Sequence, residues 1–506
     1  MLRRLYSRII MVKVHRNFRR PINRLPREVL SAVFQVVVYD WSLSIQASEG
    51  RSLSYSWATM THVCNHWRNV ALETTTLWTH IIVHKQRLIE TLLQRSRSSG
   101  LFIYYWEDPF PRHERSQSRI LNLIRPHFSR VKHIHIGLTS PDYTPTTFVK
   151  LLLHDNLLPI QSLSFRSSSL SKKIGEELDE WTMLRKYHPA TLRIEGTPAN
   201  ITTLVSAENL QHLSVVNSIY NEWKTFLFVL RKAPRLKSLI CVDSMDHRSF
   251  DLSRCNVASL PCLCYAKLSL GTLQVLSEVL QHISYPITAT LQLACNDLPY
   301  IPPAATITEM IDRNFDLRTY LRKLIPKNLH LLTIHASTSM GWHDLTIESR
   351  NFKLHIAKIC TPREQSDIIN GIAFSLITGA LRCLTFGPGI DNLLHRDWER
   401  IEVYHAIRGN AFKLQQLAVP SMYHLTSLLS PEMVSEKDTI VRNIPFPELK
   451  TLHIGTLKHN YDAMTLYDIL QIRKKGGSVL HDIYMPHDPD PGIYDPLAEL
   501  VRRVHI

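Results

Sequence analysis

One spacing recurs along most of this chain: an apolar residue, two residues of any kind, a second apolar residue, one of any kind, and a third apolar residue. It is seen at Val131, Ile134, Ile136; Ile160, Leu163, Phe165; Leu210, Leu213, Val215; Leu236, Leu239, Cys241; and Leu329, Leu332, Ile334. It continues at Leu381, Leu384, Phe386; Leu414, Leu417, Val419; Leu449, Leu452, Ile454; and Leu480, Ile483, Met485, with weaker copies around Leu192, Leu268 and Leu291. The last two apolar positions are two apart, the period of a strand with one face turned inward. Counted from Val131, the first copies start at 131, 160, 189, 210, 236, 265 and 288, in steps of 21 to 29 residues. Helical periodicity fills several gaps: Trp223 to Arg231, Leu273 to His282, Met310 to Leu324, Trp398 to Ile407 and Tyr461 to Ile472. A single strand and helix cannot bury its own apolar face, so neighbouring copies must stack. The expected body is α/β, a curved parallel sheet with helices outside it.

In period and pattern the region 88–506 resembles irregular leucine-rich repeats, which form solenoids. The asparagine that closes the strand turn in regular repeats is present as Asn296, while Thr139, Ser168, Ser218, Ser244 and Ser337 take its place elsewhere. Beyond Leu329 the steps lengthen, and two further β-prone runs, Leu345 with Ile347 and Leu354 with Ile356, predict an inserted hairpin near Gly341. The resemblance implies a concave receptor face for another protein. On it the strand alternation places His135, Arg166, Arg193, His212, Lys237 and His453 as candidate substrate-binding residues.

Ahead of the repeats, residues 22–79 carry a different signal. Val29, Leu30, Val33, Phe34 and Val37 recur every three or four positions and predict a helix with one apolar stripe. Pro26 suits its opening turn and Glu28 places a negative charge at the positive end of the helix dipole. A second helix is predicted from Trp57, Met60, Val63, Cys64, Trp67, Val70 and Ala71, closing on Leu77 and Trp78. The serine-rich stretch 40–56 reads as a long link between the two. A bundle this small needs a partner or a following domain to be stable.

These residues resemble the F-box in its fungal F-box-like form, on Leu25-Pro26, Glu28, Leu30 and Phe34 in the first half and Val63-Cys64, Trp67-Arg68, Ala71, Leu77 and Trp78 in the second. The resemblance implies a helical module that docks the Skp-type adaptor of a Skp-Cullin-F-box ubiquitin ligase, and through it a cullin, while the rest of the chain holds a protein substrate. Carried over to this sequence, the adaptor-binding set is Leu25, Pro26, Val29, Leu30, Val33, Phe34, Val63, Cys64 and Trp67. The implied location is cytoplasmic or nuclear. The alternative is a leucine-rich-repeat scaffold or binding protein outside any ligase.

The net charge of +15 is concentrated at the start, where residues 1–27 hold nine Lys or Arg and no acid; the remainder has 50 basic against 44 acidic residues. A general nucleic-acid surface is therefore not required, and residues 1–21 read as a solvated basic extension. An Arg-rich, acid-free start also resembles a mitochondrial transit peptide. The uncharged apolar stretch Ile368 to Leu381 is too short for a bilayer helix and reads as a buried one, so no membrane span is expected.

No chemistry announces itself. The glycine-rich phosphate loops, the nucleophile elbow and the paired-histidine zinc helix are missing from the sequence. Cys255, Cys262 and Cys264 lack the two-residue gap with which paired thiolates grip zinc. Cys262, Cys264 and Cys295 are expected to pack as small hydrophobes beside the repeat strands, and Cys64 on the apolar helix face. The expectation is a non-enzymatic protein without metal, cofactor or small-molecule substrate, whose role is to hold another protein in place.

Overall fold

The computed structural model describes residues 11–12, 15–17, 19–47, 54–83, 86–106, 114–138, 159–167, 186–196, 206–217, 223–242, 255–271, 273–295, 331–339, 342–349, 352–359, 381–387, 407–408, 411, 413–430, 432–436, 439–455, 460–485 and 497–505. The chain forms two compact units, 1–238 with 244–246 and 239–243 with 247–506. Both are α/β, and most strand pairs are parallel.

The N-terminal unit opens with α1 (Arg27–Ala47), ten residues longer at its C-terminal end than the apolar run to Val37 suggests. Its buried stripe is Leu30, Phe34, Val38, Trp41 and Ile45, so the helix takes in the first part of the expected serine-rich link, to Ala47, because Trp41 and Ile45 extend the stripe into the core. Ser42 and Ser44 fit inside the helix by donating to the carbonyls of Tyr39 and Trp41, each at 2.7 Å. The second predicted helix is broken: a 3-10 turn at Ser56–His62 is followed by an extended Cys64 and then α2 (Asn65–Glu73). Phe34 packs on Trp67 at 5.2 Å between ring centroids, Trp57 on Trp78 at 5.2 Å, and Trp78 donates its indole N–H to the Ala71 carbonyl.

Strands begin directly after these helices. They are β1 (His80–Ile82), β2 (Leu101–Trp106), β3 (Val131–Leu138), β4 (Ser162–Ser167), β5 (Thr191–Glu195) and β6 (His212–Val216), each parallel to the next. Helix α3 (Gln86–Ser96) joins β1 to β2, α4 (Glu114–Ile124) lies between β2 and β3, and α5 (Trp223–Arg231) follows β6. Ile134, Leu163, Leu192 and Leu213 stand abreast in register and are all buried.

A repeated backbone device explains the sequence spacing. The Gln161 carbonyl accepts from both Ala190 and Thr191 N–H, the Ala190 carbonyl from Gln211 and His212, and the Gln211 carbonyl from Lys237 and Ser238. Two consecutive amides on one carbonyl form a bulge, which adds one residue to the strand entry. The extra residue makes the first gap of each copy two residues wide, while the second gap keeps the ordinary alternation.

The second unit uses the same device at the carbonyls of Arg382, Gln415 and Lys450. In chain order it contains β7 (Ser238–Val242, its first residue in the other unit), β8 (Ala258–Ser259), β9 (Tyr265–Leu270), α6 (Leu273–Gln281), β10 (Ile283–Ser284), β11 (Thr290–Cys295), β12 (Leu331–Ser339), β13 (Trp342–Ser349) and β14 (Phe352–Ile359). Then follow β15 (Cys383–Phe386), β16 (Gln416–Val419), α7 (Met422–Leu429), β17 (Glu432–Glu436), β18 (Thr439–Asn443), β19 (Thr451–Ile454), α8 (Asn460–Lys475), β20 (Asp482–Tyr484) and β21 (Arg503–His505). The strands run β9, β11, β14, β13, β12, β15, β16, β19, β20, β21 across the sheet, parallel except where β13 meets its two neighbours.

The inserted hairpin is thus a three-strand meander built into the sheet: β14 continues from β11, and β12, itself a repeat copy, passes the ladder on to β15. Register moves the copy assigned to 265 to Leu263, because Ala266 and Leu268 pair with Leu291 and Leu293. A further copy, Val501 with Val504, closes the ladder. Of the expected helices, Met310 to Leu324 and most of Trp398 to Ile407 and of Ile368 to Leu381 lie outside the described residues.

Candidate docking faces

Helix α1 has two apolar faces. Leu30 and Phe34 are 0% and 1% exposed, sealed inside the N-terminal unit, whereas Val29, Val33, Val36 and Val37 are 43% to 60% exposed. At about 100° per residue Val29 and Val36 fall on the side opposite the buried stripe, and Val33 and Val37 lie on its flank. Leu43 and Tyr39 widen the exposed side. So broad an exposed apolar stripe is a candidate interaction surface.

The expected adaptor-binding set therefore divides. Val29, Val33 and Val63 are exposed and Pro26 is at the surface, while Leu25, Cys64 and Trp67 are half-buried. Leu30 and Phe34 are corrected to core residues: the helix turns them toward Trp67 and the rest of the bundle, away from any partner. Trp67 donates its indole N–H to the Asn23 side-chain oxygen at 2.6 Å, which fixes the turn before α1 against α2. Cys64 sits in the extended hinge before α2 rather than on an apolar helix face.

By length and composition, Arg27–Gln46 is long and apolar enough to cross a membrane, with mean hydropathy 1.3 and a third of it buried. Asp40 interrupts its otherwise uncharged run from Val29 to Ser48.

The far end of α1 lies on the sheet of the same unit. Trp41 approaches His80 edge-on, Tyr55 donates its hydroxyl to the His80 carbonyl, and the Tyr55 oxygen accepts the Ile82 amide. Below them lie in-register rings, His80 on Phe102 at 4.6 Å and Phe102 on His133 at 4.0 Å, and Trp106 packs diagonally on His135 at 5.3 Å, His135 itself being in register with Tyr104. Trp106 occupies the space over Gly137, where a Cβ would come within 2.2 Å of the indole. Burial holds the imidazoles of His80 and His133 down to about 4 and that of His135 to about 3, neighbouring positive groups adding to the effect. Burial likewise pushes the Tyr104 phenol up to about 12, although hydrogen bonds to Gln46 and Ser42 oppose it.

This cover corrects two of the six candidate receptor residues. His135 is 4% exposed, with Nδ1 at 2.9 Å from Ser164 Oγ; α1 closes over the strand face expected to be open. Arg166 donates to the Gln46 carbonyl at 2.8 Å and lies 3.5 Å from Glu195, so it caps the negative end of α1. Arg193 is more open and pairs with Glu195 at 3.0 Å. His212, Lys237 and His453 are exposed, each beside a buried repeat leucine.

The C-terminal unit carries a second ring row, of which only His453 was among the sequence-derived candidates. His453 stacks on Tyr484 at 4.2 Å, and Tyr484 on His505 at 4.3 Å, across β19, β20 and β21. His505 also binds Asp482 at 3.0 Å, and Arg503 lies 3.4 Å from the same oxygen. The signal was present: Leu452-His453-Ile454, Ile483-Tyr484-Met485 and Val504-His505-Ile506 place a ring at one position of three successive copies.

Cys262 and Cys264 are exposed, against the expectation that they pack, because they occupy the turn before β9; Cys241 and Cys295 are buried. Among the described residues no three His, Cys, Asp or Glu side chains gather into a metal-binding group. No protein-family model matches the chain, and no curated protein matches it significantly.

Proposed function

We propose that this chain is a substrate-recognition adaptor of a Skp-Cullin-F-box type ubiquitin ligase, with an F-box-like helical module followed by an irregular leucine-rich-repeat solenoid. The observation that carries it is the doubled face of α1: Val29, Val33, Val36 and Val37 lie open while Leu30, Phe34, Val38, Trp41 and Ile45 tie the same helix into the fold. In such an assembly the valines dock a Skp-type adaptor, and the outward strand residues Arg193, His212, Lys237 and His453 belong to the receptor for a protein substrate. The chain contributes proximity, since holding a substrate beside a conjugating enzyme turns an encounter into a local event.

The test is co-purification with a Skp-type adaptor. Val33→Asp with Val36→Asp should abolish it, each buried anchor contributing about 2 kcal/mol, while thermal unfolding stays near wild type. A folded wild-type chain that captures no such adaptor overturns the ligase role and favours a repeat scaffold. Binding of the valine face to phosphatidylcholine vesicles in place of the adaptor would reassign it to a membrane.

A further inference from the structure

The two ring rows differ in one respect. The first is roofed by the chain itself, with Trp41 set edge-on to His80 at 5.8 Å and Tyr55 bonded to the strand beneath. The second has no such roof among the described residues: His453 is exposed, Tyr484 is 37% exposed, and the His505 side chain is also 37% exposed.

The stacked rings of the second row spend their faces on one another and offer their edges, which attract the face or edge of another aromatic ring. Ala418 pairs in register with His453 and is too small to extend the row, so the free face of His453 borders a gap one strand wide, about 4.8 Å. Thr385, in register with Ala418, is the next side chain beyond it.

Beside the rings runs a line of polar side chains set by the bulges. Arg382, Gln415, Lys450 and His481 occupy equivalent positions on successive strands, because the amides of each pair with the carbonyl of the one before. Arg502 extends the line, being the residue before Arg503, whose amide bonds to the His481 carbonyl. Lys450 and Arg502 are exposed, and Asp482, on the strand β20 between theirs, is already shared by His505 and Arg503. The line is therefore positive where the ring row is apolar.

We infer that the open ring row His453, Tyr484 and His505, with the basic line Lys450, His481 and Arg502 beside it, is a docking surface for an acidic peptide segment bearing an aromatic residue. The aromatic side chain takes the position over the ring edges and Ala418 that Trp41 takes over the first row, and the carboxylates meet the basic line. This rests on the receptor role proposed above and names its substrate class.

The experiment exposes full-length protein to an immobilised library of peptides about twelve residues long. Each carries one Tyr, Phe or Trp near two Glu or Asp, beside matched peptides with Gln and Asn for the acids or Leu for the aromatic. Wild type should retain the acidic aromatic peptides at least about tenfold better than either control set. His453→Ala with Tyr484→Ala should erase the aromatic preference, and Lys450→Glu with Arg502→Glu the acidic one, with thermal unfolding unchanged. Equal retention of all sets, or preferences that survive both double variants, overturns the inference. So does stronger retention of a single-stranded RNA 12-mer that the same variants abolish. Loss of peptide preference with adaptor capture intact would defeat this surface alone; preference without adaptor capture would defeat the ligase role and leave the surface standing.

Discussion

Trp41 and His80 meet edge to face, ring centroids 5.8 Å apart at 84°, and through that contact helix α1 and the first strand of the sheet become one body. Tyr55 stacks on the other side of Trp41 at 5.4 Å, and Arg166 holds the Gln46 carbonyl one turn further on. Helix α1 and the N-terminal sheet are thus coupled by packed side chains rather than by a free linker. Trp41→Ala should cost about 3–5 kcal/mol, from lost transfer energy and the cavity left behind. Chemical denaturation measures it; a loss below about 1 kcal/mol would show the contact to be incidental.

The two faces of α1 should respond oppositely. Leu30→Ala, at a fully buried site, should destabilise by about 2–5 kcal/mol, whereas Val36→Ser should leave the midpoint within about 0.5 kcal/mol of wild type. Thermal unfolding of the two variants side by side decides it, and equal losses would contradict the assigned helix phase.

The strand alternation gives a second contrast. Leu452 is buried and His453 exposed on β19, so Leu452→Ala should lose about 2–5 kcal/mol and His453→Ala very little. Leu213 against His212 should repeat the pattern on β6. Reversal at either pair would refute the strand phase on which the proposed receptor surface depends.

Gly137 should tolerate no side chain. A Cβ there would sit 2.2 Å from Trp106 and force the indole out of the ring row, so Gly137→Ala should destabilise by about 1–3 kcal/mol. Gly137→Ala combined with Trp106→Leu should recover part of that loss, since the clashing ring is gone. Calorimetry on the single and double variants is the measurement.

Acid should weaken the N-terminal unit. His80 and His135 titrate at about 4 and 3 when folded but near 6.5 when unfolded, so between pH 6.5 and 4 the unfolded chain binds protons that the folded chain refuses. Their contribution is complete above pH 6.5 and is lost as pH falls, by roughly 2–3 kcal/mol for each by about pH 4.5. Urea titrations across this range should show the decline, and His80→Gln with His135→Gln should flatten it.

Local order was legible in neighbouring residues. The repeated apolar spacing placed β3 to β7, β9, β11, β12, β15, β16, β19 and β20, the period of 3.6 placed α5, α6 and α8, and the alternation at Leu452-His453-Ile454 assigned inside and outside. These follow from short-range sterics and from which side chains avoid water, both written in neighbouring residues. The same local signal found α1 but put its inner face one residue off centre, because Val29, Val33 and Val37 are as apolar as Leu30 and Phe34. Only the packing of Phe34 on Trp67 and of Trp41 on His80 decides which stripe is core. Burial of His135, the capping role of Arg166 and the entry of the meander between β11 and β15 depend likewise on contacts between residues far apart in the chain, for which local periodicity carries no term. The open ring row shows both sides: each of its rings was visible in its own copy, but only the parallel register of β19, β20 and β21 stacks them into one surface.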